Sequence, residues 1–305
     1  MQTILGAGGA IGTPLAKDLK AYTHRIRLVS RNPRQVNGTD ELVAANLTIR
    51  EEADKAVAGS EVVYLVAGLE YSRKVWQRDW PVVMANVINA CLKHQARLVF
   101  LDNVYMYADT AIPHMTETSA IAPRSEKGKV RAQLHAMLFS AIRERGLKAL
   151  IARSADFYGP TAANSPLGIM VVEEYRKGKK AFWQIDSSKI HSFTYTPDAA
   201  RATAMLGNTA DAFGQVWHLP TSPERLTGKD FIEKIAAEMK VQPRYYHFSR
   251  MLMRVIGLFV PVVKELAEMA YQYDRDYVFD SSKFEQRFGV TPTSYTEGIR
   301  AMVRQ

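Results

Sequence analysis

The stretch "QTILGAGGAIG", residues 2 to 12, limits the fold of this chain more than any other. An apolar run of strand type leads into a glycine-rich turn, and the turn opens directly into a helical stretch over 10 to 22. Gly6 permits a tight turn, Gly9 lets the backbone approach a pyrophosphate, and Gly12 lets helix and strand pack closely, while free amides at the helix start face the phosphates. The same rhythm continues along the chain. "RIRLVS" and "ELVAAN" read as strands, "REEADKAV" as a helix, "EVVYLVAG" as a buried strand, 79 to 95 as a helix, "ARLVFLDN" as a strand, 127 to 146 as a helix and "KALIARSADFYG" as a strand. β-branched runs covered on both faces imply an α/β fold, a Rossmann-type doubly wound parallel sheet. After Gly159 the pattern loosens into irregular, aromatic-rich pieces that suit a smaller C-terminal substrate-binding region. The expected division is a dinucleotide-binding domain over 1–160, with 190–220 returning to it, and a cap made of 161–189 and 221–305.

The second strand of such a sheet ends at the adenosine ribose, and here it ends in "VSRNPR". An acid at that place would bond the ribose hydroxyls. Ser30 and Arg31 instead offer a hydroxyl and a guanidinium, which suit a 2′-phosphate, so NADP is expected in preference to NAD. The other reading of Arg31 is a guanidinium stacked on the adenine.

The bulk properties exclude several function classes. A core drawn from 305 residues needs no disulfide or metal, and Cys91 is the only cysteine, so a reducing cytoplasm is the expected setting. The start "MQTIL" lacks the regions of a signal peptide. "MLMRVIGLFVPVV" (251 to 263) is broken by Arg254 and Pro261 and is shorter than the roughly 20 residues that span a bilayer, so no membrane partner is expected. The net charge of +9 comes from basic residues scattered among acids rather than gathered in a stripe, which argues against nucleic acid. An excess of cations also suits an enzyme whose cofactor carries phosphates. The seven histidines, His24, His94, His114 and His191 among them, show no metal-ligand spacing.

Further along, "VAG" (66 to 68), Asn86, "LDNVYMYA" (101 to 108), "RSADFYGP" (153 to 160) and "SFTYTPDAARA" (192 to 202) join the glycine spacing. Together they resemble the extended short-chain dehydrogenase/reductases, and within them the NAD-dependent epimerase/dehydratase group. The likeness covers most of the chain and is most specific in its first 160 residues. It implies that Gly6, Gly9, Ala10, Ile11 and Gly12 hold the pyrophosphate, Ser30 and Arg31 the adenosine end, and Asn46 with Leu47 the adenine, Asn46 standing where the family usually has an aspartate. Ala67 and Gly68 would line the cofactor's ribose and nicotinamide side, and Asn86 would belong to the cofactor site. In the family a Ser or Thr after the fifth strand polarises the substrate oxygen; counting back from Tyr107, Asn103 takes that position and can donate through its amide.

At the proton-transfer pair the chain departs from the family. The usual Tyr-x-x-x-Lys falls on Lys127 and Arg131 in "SEKGKVRAQ". Arg131 can hold a ribose but, with a pKa above about 12, does not shuttle protons near neutrality. Lys127 acts as a base only if strongly desolvated; otherwise it is an exposed lysine in a basic run. Residues 103 and 105 share one side of an extended strand end, with Asp102 on the other, so Tyr105 either replaces the missing phenol or is a packed aromatic. Two functions follow. One is an NADP-preferring oxidoreductase or epimerase acting on a hydroxyl or carbonyl of a small polar molecule such as a sugar derivative. The other is a non-catalytic NAD(P)-binding sensor. Weaker expectations are a solvated or substrate-side Glu117, a helix-capping Asp198, and an aromatic group, Trp183, Phe193, Tyr195 and Trp217, that lines the cap or fills its core. A homodimer is expected through helices 79–95 and 127–146, although Val130, Leu134, Met137, Leu138 and Ile142 supply one buried face rather than two.

Overall fold

The computed structural model describes residues 1–304. The chain forms two units, one made of 1–106, 126–154 and 199–219, the other of 107–125, 155–198 and 220–305. Segments 107–125, 155–160 and 190–198, expected in the dinucleotide-binding domain, thus group with the second unit.

In chain order the first unit begins with β1 (Gln2–Leu5), α1 (Gly12–Asp18), β2 (Ile26–Ser30), β3 (Glu41–Ala44), α2 (Arg50–Val57), β4 (Val62–Leu65), α3 (Arg73–Lys93), β5 (Arg97–Asp102), α4 (Glu126–Arg145) and β6 (Ala149–Arg153). Then follow β7 (Asp156–Tyr158), α5 (Glu173–Arg176), β8 (Ala181–Gln184), β9 (Phe193–Tyr195), α6 (Thr196–Gly207), β10 (Val216–His218), α7 (Gly228–Met239), β11 (Tyr245–Phe248), α8 (Arg250–Gly257) and α9 (Pro261–Met269). Seven strands make one sheet in the order β10-β6-β5-β4-β1-β2-β3. Every pairing in it is parallel, with Leu5 beside both Val29 and Leu65. All residues of β1, β4 and β6 are buried, as strands covered on both faces must be. The strand order reverses between β1 and β4, and in such sheets a ligand crevice opens beyond the carboxyl ends of strands at that point.

Two elements depart from the expected boundaries. Helix α3 starts at Arg73 rather than 79 and carries Pro81 inside it, because Trp76 and Trp80, one turn apart, bury on the same face and fix the extra turn. The expected single strand at 148–159 is two. Ser154 still donates to the Asp102 carbonyl (3.0 Å), but the Ala155 amide turns to the Thr194 hydroxyl (3.0 Å), and β7 pairs with β9 in a separate small sheet. The second unit has its own core around Trp183, Phe193, Phe231 and Tyr295, with Tyr195 packed against it. Trp217, in contrast, lies on β10 of the first unit and donates to the Ala212 carbonyl (2.8 Å), so the expected group of four aromatics is divided. Asp198 sits in the first turn of α6 and accepts from the Thr293 amide at 2.7 Å. Cys91 is buried in the first unit's core, and burial pushes its thiol up to about 12, which makes it a packing residue.

Candidate active site

The chain leaves β1 through Gly6, whose amide donates to the Val29 carbonyl at 2.9 Å. Gly6 has φ +99°, and a Cβ there would stand 2.3 Å from the Ala67 Cα. Both the left-handed backbone and the backbone of the strand-end opposite therefore require glycine. At Gly12 a Cβ would come within 2.8 Å of the Gly6 carbonyl oxygen, so the turn and the start of α1 lie directly against each other. Beyond this turn a cleft of about 750 Å³ opens. Of the residues expected at the cofactor, Gly6, Gly9, Ser30, Arg31, Asn46, Leu47, Ala67 and Gly68 line it. Arg31 is exposed there. The far wall brings in Glu70, Val75, Arg78 and Asp79, which sequence reasoning missed; Arg78 and Asp79 form an ion pair at 2.6 Å.

The remaining expected cofactor residues stand behind this lining. Ile11 and Gly12 are buried beneath the turn, and Ala10 links them to it. Asn86 donates its side-chain amide to the Leu47 carbonyl at 3.0 Å and so ties α3 to the adenine-side loop. Asn46 accepts from the Thr48 amide (3.1 Å) and hydroxyl (2.9 Å), while its own backbone amide donates to Glu52 at 2.6 Å. This Asx turn holds the Asn46–Leu47 loop at the cleft wall.

The expected catalytic group lies around one aromatic cluster in the same unit. Tyr105 stacks on Trp76 (ring centroids 6.2 Å, interplanar angle 17°), and its hydroxyl is 3.5 Å from that of Tyr71. Asn103 accepts the Tyr105 amide through its side-chain oxygen at 3.1 Å, which leaves its amide nitrogen as the donor. Lys127 is fully buried, with Nζ 4.8 Å from the centre of the Tyr71 ring, so the reading of an exposed lysine in a basic run is corrected. The face of the Tyr71 ring is one of the groups that receive its charge.

Arg131 turns inward. Its guanidinium packs on Trp80 (4.3 Å) and Trp76 (4.5 Å) and stands 3.5 Å from Asp102; like Asn103, Tyr105 and Lys127, it is not among the residues that line the cleft. Arg153 approaches the other Asp102 oxygen at 3.6 Å and donates to His135 Nδ1 at 3.1 Å. An arginine can only donate, so this His135 nitrogen carries no proton. Burial first, then Arg153 and Arg143, push His135 down to about 4. Burial likewise pushes the Asp102 carboxyl up, opposed by the two guanidiniums, and pushes Arg131 down, opposed by Asp102. The network is a structural brace under β5 and α4. Sequence reasoning missed Tyr71 and Trp76; the Trp76/Trp80 spacing of one helical turn was the available signal.

Residues 3–218 match the family model described as NAD dependent epimerase/dehydratase family. The chain belongs to that family. No curated protein matches it in sequence. Among solved structures it is similar to MoeE5 in complex with UDP-glucose and NAD (19% identity, TM-score 0.80, 99% of this chain and 97% of the other covered). It is also similar to the Thermus thermophilus UDP-glucose 4-epimerase in complex with NAD (16%, 0.78, 100% and 98%) and to the Bacillus cereus UDP-N-acetylglucosamine 4-epimerase (14%, 0.77, 99% and 95%). At these identities the likeness is one of fold. Among the described residues no cluster of His, Cys, Asp and Glu could hold a metal ion.

Proposed function

We propose that this family member is a nicotinamide-dependent enzyme of the epimerase/dehydratase kind, preferring NADP to NAD, that acts on a hydroxyl or carbonyl of a small polar substrate such as a sugar derivative. The observation that carries the reading is the Gly6 turn, which only a residue without a Cβ can make against Ala67, opening a cleft of dinucleotide size. In this reading Gly6, Gly9, Ala10, Ile11 and Gly12 hold the pyrophosphate, Asn46 and Leu47 face the adenine, and Ala67 and Gly68 face the nicotinamide half. Asn86 acts through the Leu47 loop. Ser30 and exposed Arg31 meet the 2′-phosphate, which is what favours NADP. When bound, the nicotinamide accepts and returns a hydride.

The proton at the substrate oxygen falls to Tyr105. Its hydroxyl stands 3.5 Å from the other phenol of the cluster, Tyr71, and the positive charges of Lys127 against the Tyr71 ring and of Arg131 near both phenols favour an oxyanion in this pair. Asn103 orients the substrate oxygen with its side-chain amide. Lys127, buried beside Tyr71, is the competing proton carrier. Segments 161–189 and 221–305 bind the substrate. Pairing of two copies through α3 and α4 belongs to the same proposal, with Val82 exposed on α3 and available for it.

Titration of intrinsic fluorescence with NADPH and NADH tests the cofactor reading: tighter NADPH supports it and equal affinities sink the preference. A panel of sugar nucleotides then tests turnover. The occupation of Lys127 and Arg131 in buried contacts favours the second reading, a dinucleotide-binding protein without turnover, and that reading gains if NADPH binds and no substrate is converted.

A further inference from the structure

Fifteen large hydrophobic side chains are exposed among the described residues, and seven of them fall within residues 251 to 262: Met251, Leu252, Val255, Leu258, Phe259, Val260 and Val262. They decorate the hairpin formed by α8 and α9, and its tip carries Leu258 and Phe259 at 79% and 82% exposure. A patch of this kind on one short element marks a surface that something covers.

Three features identify the covering phase. The hairpin is held by its other side, where Met253 packs with Phe248 and Ala270, and Gly257 lets the helices approach so closely that a Cβ would be 3.1 Å from the Lys264 Cα. The apolar tip is therefore a braced projection rather than a groove. Most N–H groups at its tip are already bonded. The N–H groups of Leu258, Phe259, Val260, Val263 and Lys264 all bond within the hairpin, and Pro261 has none. That lowers the cost of carrying a peptide turn out of water. The exposed charges of the hairpin have one sign: Arg250, Arg254 and Lys264 flank the apolar residues, while the two acids of α9, Glu265 and Glu268, are half-buried. Arg250 is partnered by Asp274, while Arg254 and Lys264 are exposed. Two copies meeting tip to tip would bring like charges together, whereas an anionic lipid surface complements both the cations and the apolar tip.

We propose that the α8–α9 hairpin is a peripheral docking element that seats in the interface of an anionic bilayer. Among the described residues no helix is long and apolar enough to cross a membrane, so the contact is shallow, and it revises the expectation that the chain has no membrane partner. The full chain should pellet with vesicles of phosphatidylcholine and phosphatidylglycerol at low salt and far less with phosphatidylcholine alone. Each exposed cation contributes about fivefold to such partitioning, so Arg254→Glu with Lys264→Glu should release the protein. Leu258→Ser with Phe259→Ser keeps the net charge and should weaken binding by at least about tenfold. An unchanged melting temperature in both variants shows that the fold is intact. In Phe259→Trp the added indole should shift its emission to the blue only when anionic vesicles are present. The proposal fails if the wild type stays in the supernatant with both vesicle types. It also fails if the double serine variant binds as well as the wild type, since net charge alone would then explain the binding. A wild-type dimer that the serine pair converts to monomer, without vesicle binding, would overturn it in favour of a second copy on this surface.

Discussion

The glycine end of the first unit is built from backbone. Gly6, Gly12 and the strand-end residue Ala67 approach so closely that a single methyl group would collide. The tyrosine end is built from side chains. Tyr71, Trp76, Tyr105, Lys127 and Arg131 hold one another by stacking and cation contacts. The difference teaches where a family motif can drift. A backbone cradle tolerates no substitution at its tight points, whereas a side-chain cluster can keep its shape while different residues fill it. The Tyr-x-x-x-Lys positions hold Lys127 and Arg131, yet a phenol still stands in the group.

The sharpest way to break this comparison is Tyr105→Phe. General acid–base assistance is worth about 100- to 10,000-fold, so turnover on any substrate found should fall by that order with cofactor affinity almost unchanged. Lys127→Met should cost less than about tenfold in the same assay. A dead Met variant beside an active Phe variant would move the proton path to Lys127. At the other end, Gly6→Ala forces a Cβ into backbone at 2.3 Å and should weaken NADPH binding by more than about a hundredfold, read by titration, as well as lowering the melting temperature.

Smaller effects sharpen the contrast. Arg131→Ala breaks a buried pair, which typically costs about 3–5 kcal/mol; Arg153 still faces Asp102, so the lower end is expected in denaturant unfolding. Arg31→Ala should lose about 1.5 to 3 kcal/mol of NADPH affinity and leave NADH unchanged. The smallest effect is at His135. Its folded-state value is depressed to about 4 from 6.5, so the folded chain keeps it neutral while the unfolded chain protonates it first. Stability from this group is full above pH 6.5 and is lost as pH falls from there towards 4. His135→Gln should therefore flatten the acid limb of a melting-temperature profile.

The glycine turn and the sheet were legible in the sequence because each rests on local pattern: a strand, a turn that needs φ above zero, a helix, and β-branched runs buried on two faces. The start of α3 was not, because the burial of Trp76 is decided by tertiary packing. The same holds at the strand after α4, where Ala155 leaves the sheet for a hydroxyl 39 residues away at Thr194. In the site, sequence reasoning brought Asn103, Tyr105 and Lys127 to one neighbourhood, but it had no means to see Arg131 turn towards Asp102, Trp76 and Trp80. A guanidinium on a helix can face either a ligand or the core, and only the partners around it decide.

A crystal structure of the chain with bound NADP tests the central claim most directly. The account predicts the pyrophosphate against the turn from Gly6 to Gly9, the 2′-phosphate at Ser30 and Arg31, and the nicotinamide ring beside Asn103 and the Tyr105 hydroxyl. A nicotinamide that instead faces Lys127, with Tyr105 packed out of reach, would contradict it.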